Sequence, residues 1–170
     1  MKDDYLQPVG SASGLRCSIT LWSRNMIDIL LIEDNAGDVR LAQEALRETR
    51  IAHSVRVARD GEEAVTLLNG DESGYRPDLI ILDLNLPRKD GREVLKEVKG
   101  HPDLQDIPVV VLTTSTSEDD IRIAYQLRAN CFITKGSDWD RSCEVIRSIH
   151  GFWSKTVTLP RSSITSAGRD

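Results

Sequence analysis

The feature that most constrains the fold of this chain is a set of short apolar runs, each ending beside an acid, a hydroxyl or an amine. Four runs follow this rule: Ile27–Ile32 precedes Glu33 and Asp34, Leu79–Leu82 precedes Asp83, residues 109–112 precede Thr113, and Cys131–Thr134 precedes Lys135. Such runs predict buried strands. Ligands bind beyond the carboxyl ends of strands in open parallel sheets, so these polar groups are predicted to form one site. Three carboxylates favour a hard divalent cation, whereas a hydroxyl and an ammonium suit a phosphoryl group.

Amphipathic segments alternate with these runs. Apolar residues at helical spacing predict helices over about residues 36–48, 62–68, 92–99 and 139–153, and another that begins after an N-cap at Ser117. The last helix is predicted to carry Trp139 and Trp153 on its apolar face. Residues 54–58 alternate apolar and polar side chains, which predicts a half-buried edge strand. Five strands alternating with five helices indicate an α/β three-layer sandwich with a five-stranded parallel sheet.

The two ends of the chain differ from this pattern. Residues 1–25 contain the run Gly-Ser-Ala-Ser-Gly at positions 10–14 and little periodicity, which predicts a flexible leader, and Met26 is a candidate start. The globular domain is predicted over residues 26–153, and residues 154–170 form a C-terminal extension that could serve as a dimer arm. The extension is too short for a DNA-binding output domain, which predicts a single-domain protein.

Charge and hydropathy exclude several partners. The net charge is −5 and no block of Lys and Arg stands out, so the sequence predicts no binding to nucleic acid. No apolar run approaches the roughly 18 residues of a membrane span, and the Met-Lys-Asp-Asp start does not resemble a secretory signal. We therefore expect no membrane partner and a cytoplasmic location.

The ordered set of strand-end groups resembles the receiver domains of two-component response regulators, over residues 27–151. Three stretches are similar to the small receivers associated with phytochrome-type histidine kinases: LLIEDN at residues 30–35, DLNLP at residues 83–87, and the segment from Phe152 to Pro160. The resemblance implies a (βα)5 flavodoxin-like fold. It also implies a partner histidine kinase, with a bacteriophytochrome as one candidate, and a phosphoacceptor in signalling rather than an enzyme.

The resemblance assigns roles to the strand-end residues. Asp83 would accept a phosphoryl group from a phosphohistidine of the kinase, with Thr113 and Lys135 contacting the phosphoryl oxygens. Mg²⁺ would neutralise the approach of the two anions, because it prefers oxygen ligands in near-octahedral geometry. The implied ligands of this cation are as follows: Glu33, Asp34, Asp83 and the backbone carbonyl of Asn85.

Two positions depart from the usual pattern of the family. Gly136 follows the lysine where receivers usually have a proline, which predicts a peptide bond that is trans or conformationally mixed, and a looser loop. Phe132 stands where many receivers have a tyrosine that switches rotamer together with Thr113. Phe132 is therefore either a switch residue or an ordinary core residue, and the sequence leaves both roles open.

Two surfaces are candidates for partner binding. The kinase-docking surface is predicted at the start of the first helix, with four residues: Asn35, Gly37, Asp38 and Leu41. A homodimer is predicted through the fourth helix, the fifth strand, the fifth helix and the C-terminal segment, which carries four apolar residues: Phe152, Trp153, Val157 and Leu159. These four side chains are too apolar for a free tail, so they either fold back on the domain or contact a second copy.

Three other functions compete with phosphoryl acceptance. A flavodoxin would share the fold, but Glu33 and Asp34 would repel the phosphate of FMN. A phosphatase of the haloacid dehalogenase type needs a second aspartate two residues after the first, where this chain has Asn85. A receiver-like dimeric module that works without phosphorylation stays open as the alternative.

Overall fold

The structure, a computed structural model, describes residues 26–70 and 75–160. The predicted leader and residues 161–170 of the predicted extension lie outside these ranges. The described residues form five strands and five α-helices followed by a π-helical turn: β1 Ile27–Ile32, α1 Ala36–Glu48, β2 His53–Ala58, α2 Gly61–Leu68, β3 Leu79–Leu82, α3 Gly91–Gly100, β4 Val109–Thr113, α4 Glu118–Gln126, β5 Cys131–Thr134, α5 Trp139–Gly151 and the turn Phe152–Thr156. The alternation of strands and helices predicted from the sequence is confirmed.

The five strands form one parallel sheet in the order β2-β1-β3-β4-β5. The chain moves outward in opposite directions from β1 and β3, so the topological switch lies between these two strands. Their register pairs Ile32 with Leu82, which brings the residues that follow each strand side by side. The flavodoxin-like (βα)5 fold is confirmed, and the switch point coincides with the predicted site.

Each face of the sheet carries its own hydrophobic core. Leu30 and Ile32 of β1 pack on the side of α2, α3 and α4, whereas Ile29 and Leu31 pack on the side of α1 and α5. Side chains of a strand alternate between faces, and both faces of this sheet are covered by helices. This is why β1 and β3 read as continuous apolar runs rather than alternating ones.

The helix that follows β1 begins at a defined cap. Asn35 is the N-cap of α1, and its Oδ1 accepts hydrogen bonds from the backbone N–H groups of Gly37 and Asp38 at 2.8 and 3.3 Å. The predicted cap of α4 is different. Ser117 occupies the N-cap position, but its side chain makes no capping hydrogen bond to the helix. Its backbone N–H instead donates to Ser115 Oγ at 3.2 Å.

The C-terminal segment departs from the predicted helix. Helix α5 ends at Gly151, two residues before the approximate predicted end, and a π-helical turn continues to Thr156. Trp153 and Leu159 pack against the core on the α1 and α5 side, whereas Phe152 is exposed. Trp139, which was predicted on the apolar face, is also exposed because it lies in the first turn of α5, beyond the edge of the core.

No helix among residues 26–70 and 75–160 combines the length and the apolar character needed to cross a membrane.

Candidate functional site

The candidate site lies at the carboxyl ends of β1, β3 and β4. Glu33 and Asp83 directly follow the paired strands β1 and β3, and Thr113 is the last residue of β4. All three are buried, although each carries a polar side chain. Buried polar groups are costly unless they have partners, so their partners define the site.

Lys135 is the common partner of three carboxylates. Its Nζ lies 2.7 Å from Glu33 Oε2, 2.8 Å from Asp38 Oδ2 and 2.6 Å from Asp83 Oδ2. The backbone holds the lysine in place, since Lys135 N–H donates to the carbonyl of Thr113 at 2.8 Å. An ammonium group has three donors, so all three are used.

The surroundings shift the pKa values of two of these groups. Burial by itself would lower the pKa of Lys135, but the hydrogen bonds to Asp38, Asp83 and Glu33 outweigh burial and raise it above its ordinary value. Burial also raises the pKa of Glu33, and the hydrogen bond from Lys135 offsets part of this rise. Lys135 is therefore a permanent cation at the centre of the site.

Asp38 is a member of the site that the sequence analysis assigned only to the docking surface. It is the third residue of α1, in the first turn of the helix, and its backbone N–H donates to the Asn35 cap. The Asp38 carboxylate thereby reaches Lys135, which lies 97 positions away in the chain. The signal that could have indicated this contact is an acidic residue in the first turn of a helix that starts two residues after the acidic pair.

Two of the predicted metal ligands lie at the rim of the site. Asp34 and Asn85 are both exposed, and the Asn85 backbone N–H donates to Asp83 Oδ1 at 3.1 Å. Among the described residues no group of three or more His, Cys, Asp or Glu side chains is arranged to hold a metal ion. Glu33 and Asp83 are bound to the Lys135 ammonium instead. The donor set of carboxylates and carbonyls nevertheless has the hard oxygen chemistry that Mg²⁺ and similar cations prefer.

A second network links the loop after Thr113 to α3. The backbone N–H of Ser115 donates to Thr113 Oγ1 at 3.3 Å, and Ser115 Oγ donates to Asp120 Oδ2 at 2.6 Å. Arg92 of α3 forms an ion pair with the same Asp120 at 2.6 Å. The hydrogen bond from Ser115 and the contact with Arg92 lower the pKa of Asp120. The loop that follows Thr113 is therefore connected to α4 through Asp120 and, through Arg92, to α3.

Two glycines let the loops pack closely around the site. A Cβ added at Gly91 would lie 2.2 Å from the Asp83 carbonyl oxygen, so only glycine fits where α3 begins under the phosphoacceptor candidate. A Cβ at Gly136 would lie 2.5 Å from the backbone nitrogen of Ser142. No cis peptide bond occurs in the described part of the chain, in agreement with the trans alternative predicted for the bond between Lys135 and Gly136.

The remaining predicted residues are placed as follows. Phe132 is half-buried and packs at the margin of the core on the α4 side, a position that fits both roles left open for it. Asn35 and Gly37 are exposed beside the site, and Asp38 is partly exposed. Leu41 is buried in the core, because it lies one turn further along α1 on the side that faces the sheet. Its burial leaves Asn35, Gly37 and Asp38 as the accessible members of the predicted docking surface.

The C-terminal residues border an open groove of about 740 Å³ beside the edge strand β5. Apolar side chains from β5, α5 and the π-helical turn line it: Ile133, Val145, Ile149, Phe152, Trp153 and Val157. Leu159 packs against the core with Trp153 instead. Part of the predicted apolar segment therefore folds back on the domain, and part of it lines an exposed groove.

Comparisons with known proteins agree with this geometry. Residues 29–147 match the family model of the response regulator receiver domain. Response regulator Rcp1 of Synechocystis sp. is 50% identical over 135 residues, which cover 78% of this chain and 92% of that protein.

Two solved structures are similar over most of the chain. The Mn²⁺-bound form of Rcp1 has a TM-score of 0.77 at 48% identity and covers 79% of this chain and 99% of its own. The phosphorylated cyanobacterial phytochrome response regulator RcpA has a TM-score of 0.77 at 49% identity. The match covers 80% of this chain and 99% of the RcpA chain. The fold, the strand-end groups and these similarities lead to one conclusion: this chain belongs to the response regulator receiver domain family.

Proposed function

We propose that this receiver domain accepts a phosphoryl group on Asp83 from the phosphohistidine of a partner histidine kinase and signals through protein contacts. The observation that carries the proposal is the pairing of the buried Asp83 carboxylate with Lys135 Nζ at 2.6 Å. The ammonium contacts the Asp83 carboxylate directly and offers positive charge where a phosphoryl group would arrive. The protein acts as a phosphoacceptor rather than as an enzyme with an external substrate.

The transfer is a single displacement at phosphorus. An Asp83 oxygen forms the new P–O bond while the P–N bond breaks, and the imidazole, protonated on its other nitrogen, leaves with the electron pair. Lys135 then donates to a phosphoryl oxygen. The Thr113 hydroxyl, at the end of the neighbouring strand β4, donates to another.

Mg²⁺ is the proposed cofactor, and Mn²⁺ is bound in the structure of Rcp1. Glu33, Asp34, Asp83 and the Asn85 carbonyl are the residues that would hold the cation. When bound, it would neutralise the charge of the incoming phosphoryl group. Asp34 and Asn85 lie on the exposed side of the site, where a hydrated cation can enter and keep several of its waters.

A histidine kinase of the phytochrome type is the proposed donor, because Rcp1 and the phytochrome response regulator RcpA share about half of their aligned residues with this chain. The exposed residues Asn35 and Gly37, next to Asp38, form the proposed docking surface. The proposal includes a cytoplasmic location, where a kinase forms its phosphohistidine from ATP.

The test is phosphate incorporation from acetyl phosphate, with Mg²⁺ or with EDTA, into the wild type and an Asp83→Asn variant. We expect labelling that requires Mg²⁺ and falls at least a hundredfold in the variant, because Asn has no nucleophilic carboxylate. Asp103→Asn is the matched control, since this exposed aspartate lies after α3, away from the site. Absence of labelling in folded wild type with Mg²⁺ would contradict the proposal and favour the module that works without phosphorylation.

The proposal extends to a homodimer through α4, β5, α5 and the C-terminal segment. Strand β5 is an edge of the sheet, and the groove beside it exposes Phe152 next to Ile133 and Val157. An apolar groove at a sheet edge is a favourable surface for a second copy of the same chain.

Sedimentation of the full chain tests the dimer. We expect the wild type to sediment as a dimer at micromolar concentration and Phe152→Asp to weaken the dimer at least tenfold, because a carboxylate would be buried without a partner. Met26→Asp is the control, since Met26 is similarly exposed but precedes the interior strand β1. A wild type that stays monomeric at 100-fold higher concentration would rule out this surface as a dimer interface.

A further inference from the structure

Lys135 has no donor left for a phosphoryl group. Its ammonium carries three N–H donors and no acceptor, and each donor is directed to one carboxylate. Any new oxygen that binds Lys135 must therefore replace one of the three existing partners. The identity of the replaced partner decides which part of the domain responds to phosphorylation.

The three partners differ in how easily they can leave. The side chains of Glu33 and Asp83 are 5% and 6% exposed, whereas that of Asp38 is 39% exposed. Glu33 also accepts a hydrogen bond from the Asn35 backbone N–H at 3.1 Å. Among the described residues, Asp38 accepts a side-chain hydrogen bond from Lys135 alone. Water can replace Lys135 at Asp38, but the buried Glu33 carboxylate would be left without compensation if it lost Lys135.

The charge that phosphorylation adds also favours the release of Asp38. Phosphorylation converts the single negative charge of Asp83 into a phosphoryl group with nearly two. The added charge attracts Lys135 more strongly and repels Asp38, which is held within hydrogen-bond distance of the same ammonium. The exposed carboxylate is the one that can move away from this repulsion.

We propose that Asp38 is a positioning residue that holds Lys135 in the unphosphorylated domain and is released when Lys135 binds the phosphoryl group. This inference rests on the proposed function of Asp83. Release leaves a free negative charge in the first turn of α1, beside Asn35 and Gly37 of the proposed docking surface. Phosphorylation thereby changes the charge that this surface presents to the kinase.

The structural test uses the full chain, Mg²⁺ and beryllofluoride, a stable analogue of the phosphoryl group. In the wild type we expect the ¹³C signal of the Asp38 carboxyl and the amide signals of residues 37–40 to shift. In Asp38→Asn the shifts of residues 37–40 should be at least threefold smaller, because the ion pair with Lys135 is already absent. Glu44→Gln is the matched control, since Glu44 lies on the same helix, is 40% exposed and pairs with Arg40.

The kinetic test uses acetyl phosphate. Removal of a partly exposed competitor for Lys135 should raise the rate of Asp83 phosphorylation by about two- to fivefold, the factor that corresponds to an exposed ion pair. Glu44→Gln should leave this rate unchanged, and Asp38→Glu should restore the slower rate.

Three outcomes separate the possibilities. If the wild-type Asp38 carboxyl does not shift while the amides around Asp83 do, Lys135 has exchanged only its contact with Asp83 and the inference is wrong. Equal shifts of residues 37–40 in Asp38→Asn and Glu44→Gln would also overturn it. If neither beryllofluoride shifts nor phosphate incorporation occurs in the wild type, the proposed function itself fails. The wild-type carboxyl signal decides the question even if Asp38→Asn does not fold.

Discussion

A Lys135→Met variant is expected to lose on the order of 3 kcal/mol of stability without divalent cations, and about a hundredfold or more in phosphorylation rate. The loss of stability follows from the contacts of the ammonium. Lys135 is the shared cation of Glu33, Asp38 and Asp83, and two of these carboxylates are buried. Methionine fills a similar volume but leaves the three negative charges to repel each other.

Urea unfolding in EDTA and in Mg²⁺ measures this effect. The deficit of the variant should shrink in Mg²⁺, because a cation bound to Glu33 and Asp83 replaces part of the missing charge. Lys96→Met, at an exposed lysine of α3, is the matched control and should cost less than about 0.5 kcal/mol. Equal stability of Lys135→Met and Lys96→Met in EDTA would contradict this prediction. It would show that the buried Glu33 and Asp83 carboxylates are not stabilised by Lys135.

The stability of the domain is expected to fall by about 3 kcal/mol between pH 6.5 and pH 4 because of His150. This histidine is fully buried near the end of α5, where it contacts the end of α1 and the start of β2. Burial, followed by the nearby charges of His53 and Lys155, lowers the pKa of His150 from 6.5 to about 4.

The hydrogen bonds explain why the proton is excluded. Thr49 Oγ1 donates its hydrogen to the Leu46 carbonyl at 2.7 Å, so His150 Nδ1 must be the donor in its 2.8 Å contact with Thr49. The other nitrogen, Nε2, has no hydrogen-bond partner among residues 26–70 and 75–160. Protonation would place a buried N–H there without an acceptor, beside the edge-on His53 ring.

The sign of the effect follows from proton binding. Above pH 6.5 His150 is neutral in both the folded and the unfolded chain, and it has no effect on the pH dependence. Below pH 6.5 His150 binds a proton in the unfolded chain, whereas in the folded chain it stays neutral until about pH 4. The free energy of unfolding therefore falls across this interval.

Urea unfolding of the wild type and a His150→Asn variant at pH 7, 6, 5 and 4.5 measures the contribution of this histidine. The variant keeps an amide near Thr49 but does not titrate, so its stability should decline less over this range. His101→Asn, at an exposed histidine after α3, should retain the wild-type decline. Identical slopes for the wild type and His150→Asn would show that His150 is not excluded from protonation.

Most of the fold could be predicted from local patterns. The apolar runs at β1, β3 and β4 are long enough for buried strands, and the intervening residues follow a helical period. Parallel strands bring their carboxyl ends to one edge, which is why the sequence could place Glu33, Asp83 and Lys135 in one site. The structure brings Glu33 and Asp83 within hydrogen-bond distance of Lys135 Nζ.

The predictions that failed concern the helix faces and the end of the chain. Leu41 was predicted both on the apolar stripe of the first helix and in the docking surface, and the structure buries it in the core with the rest of the stripe. Trp139 was assigned to the apolar face of α5 and is exposed, and α5 gives way to a π-helical turn at Phe152. Helical periodicity indicates an apolar stripe, but packing determines where the stripe begins and ends.

The sequence by itself therefore determined the order of the strands and helices, the family and the edge of the sheet at which the polar groups gather. These properties depend on periods of two and 3.6 residues and on the chain direction, which are local. Only the tertiary structure decided that Asp38 binds the Lys135 ammonium together with Glu33 and Asp83. The same holds for the burial of His150 in contact with Thr49 and His53. Those contacts join residues about 100 positions apart in the chain. They depend on how α1 and α5 pack against the sheet and against each other.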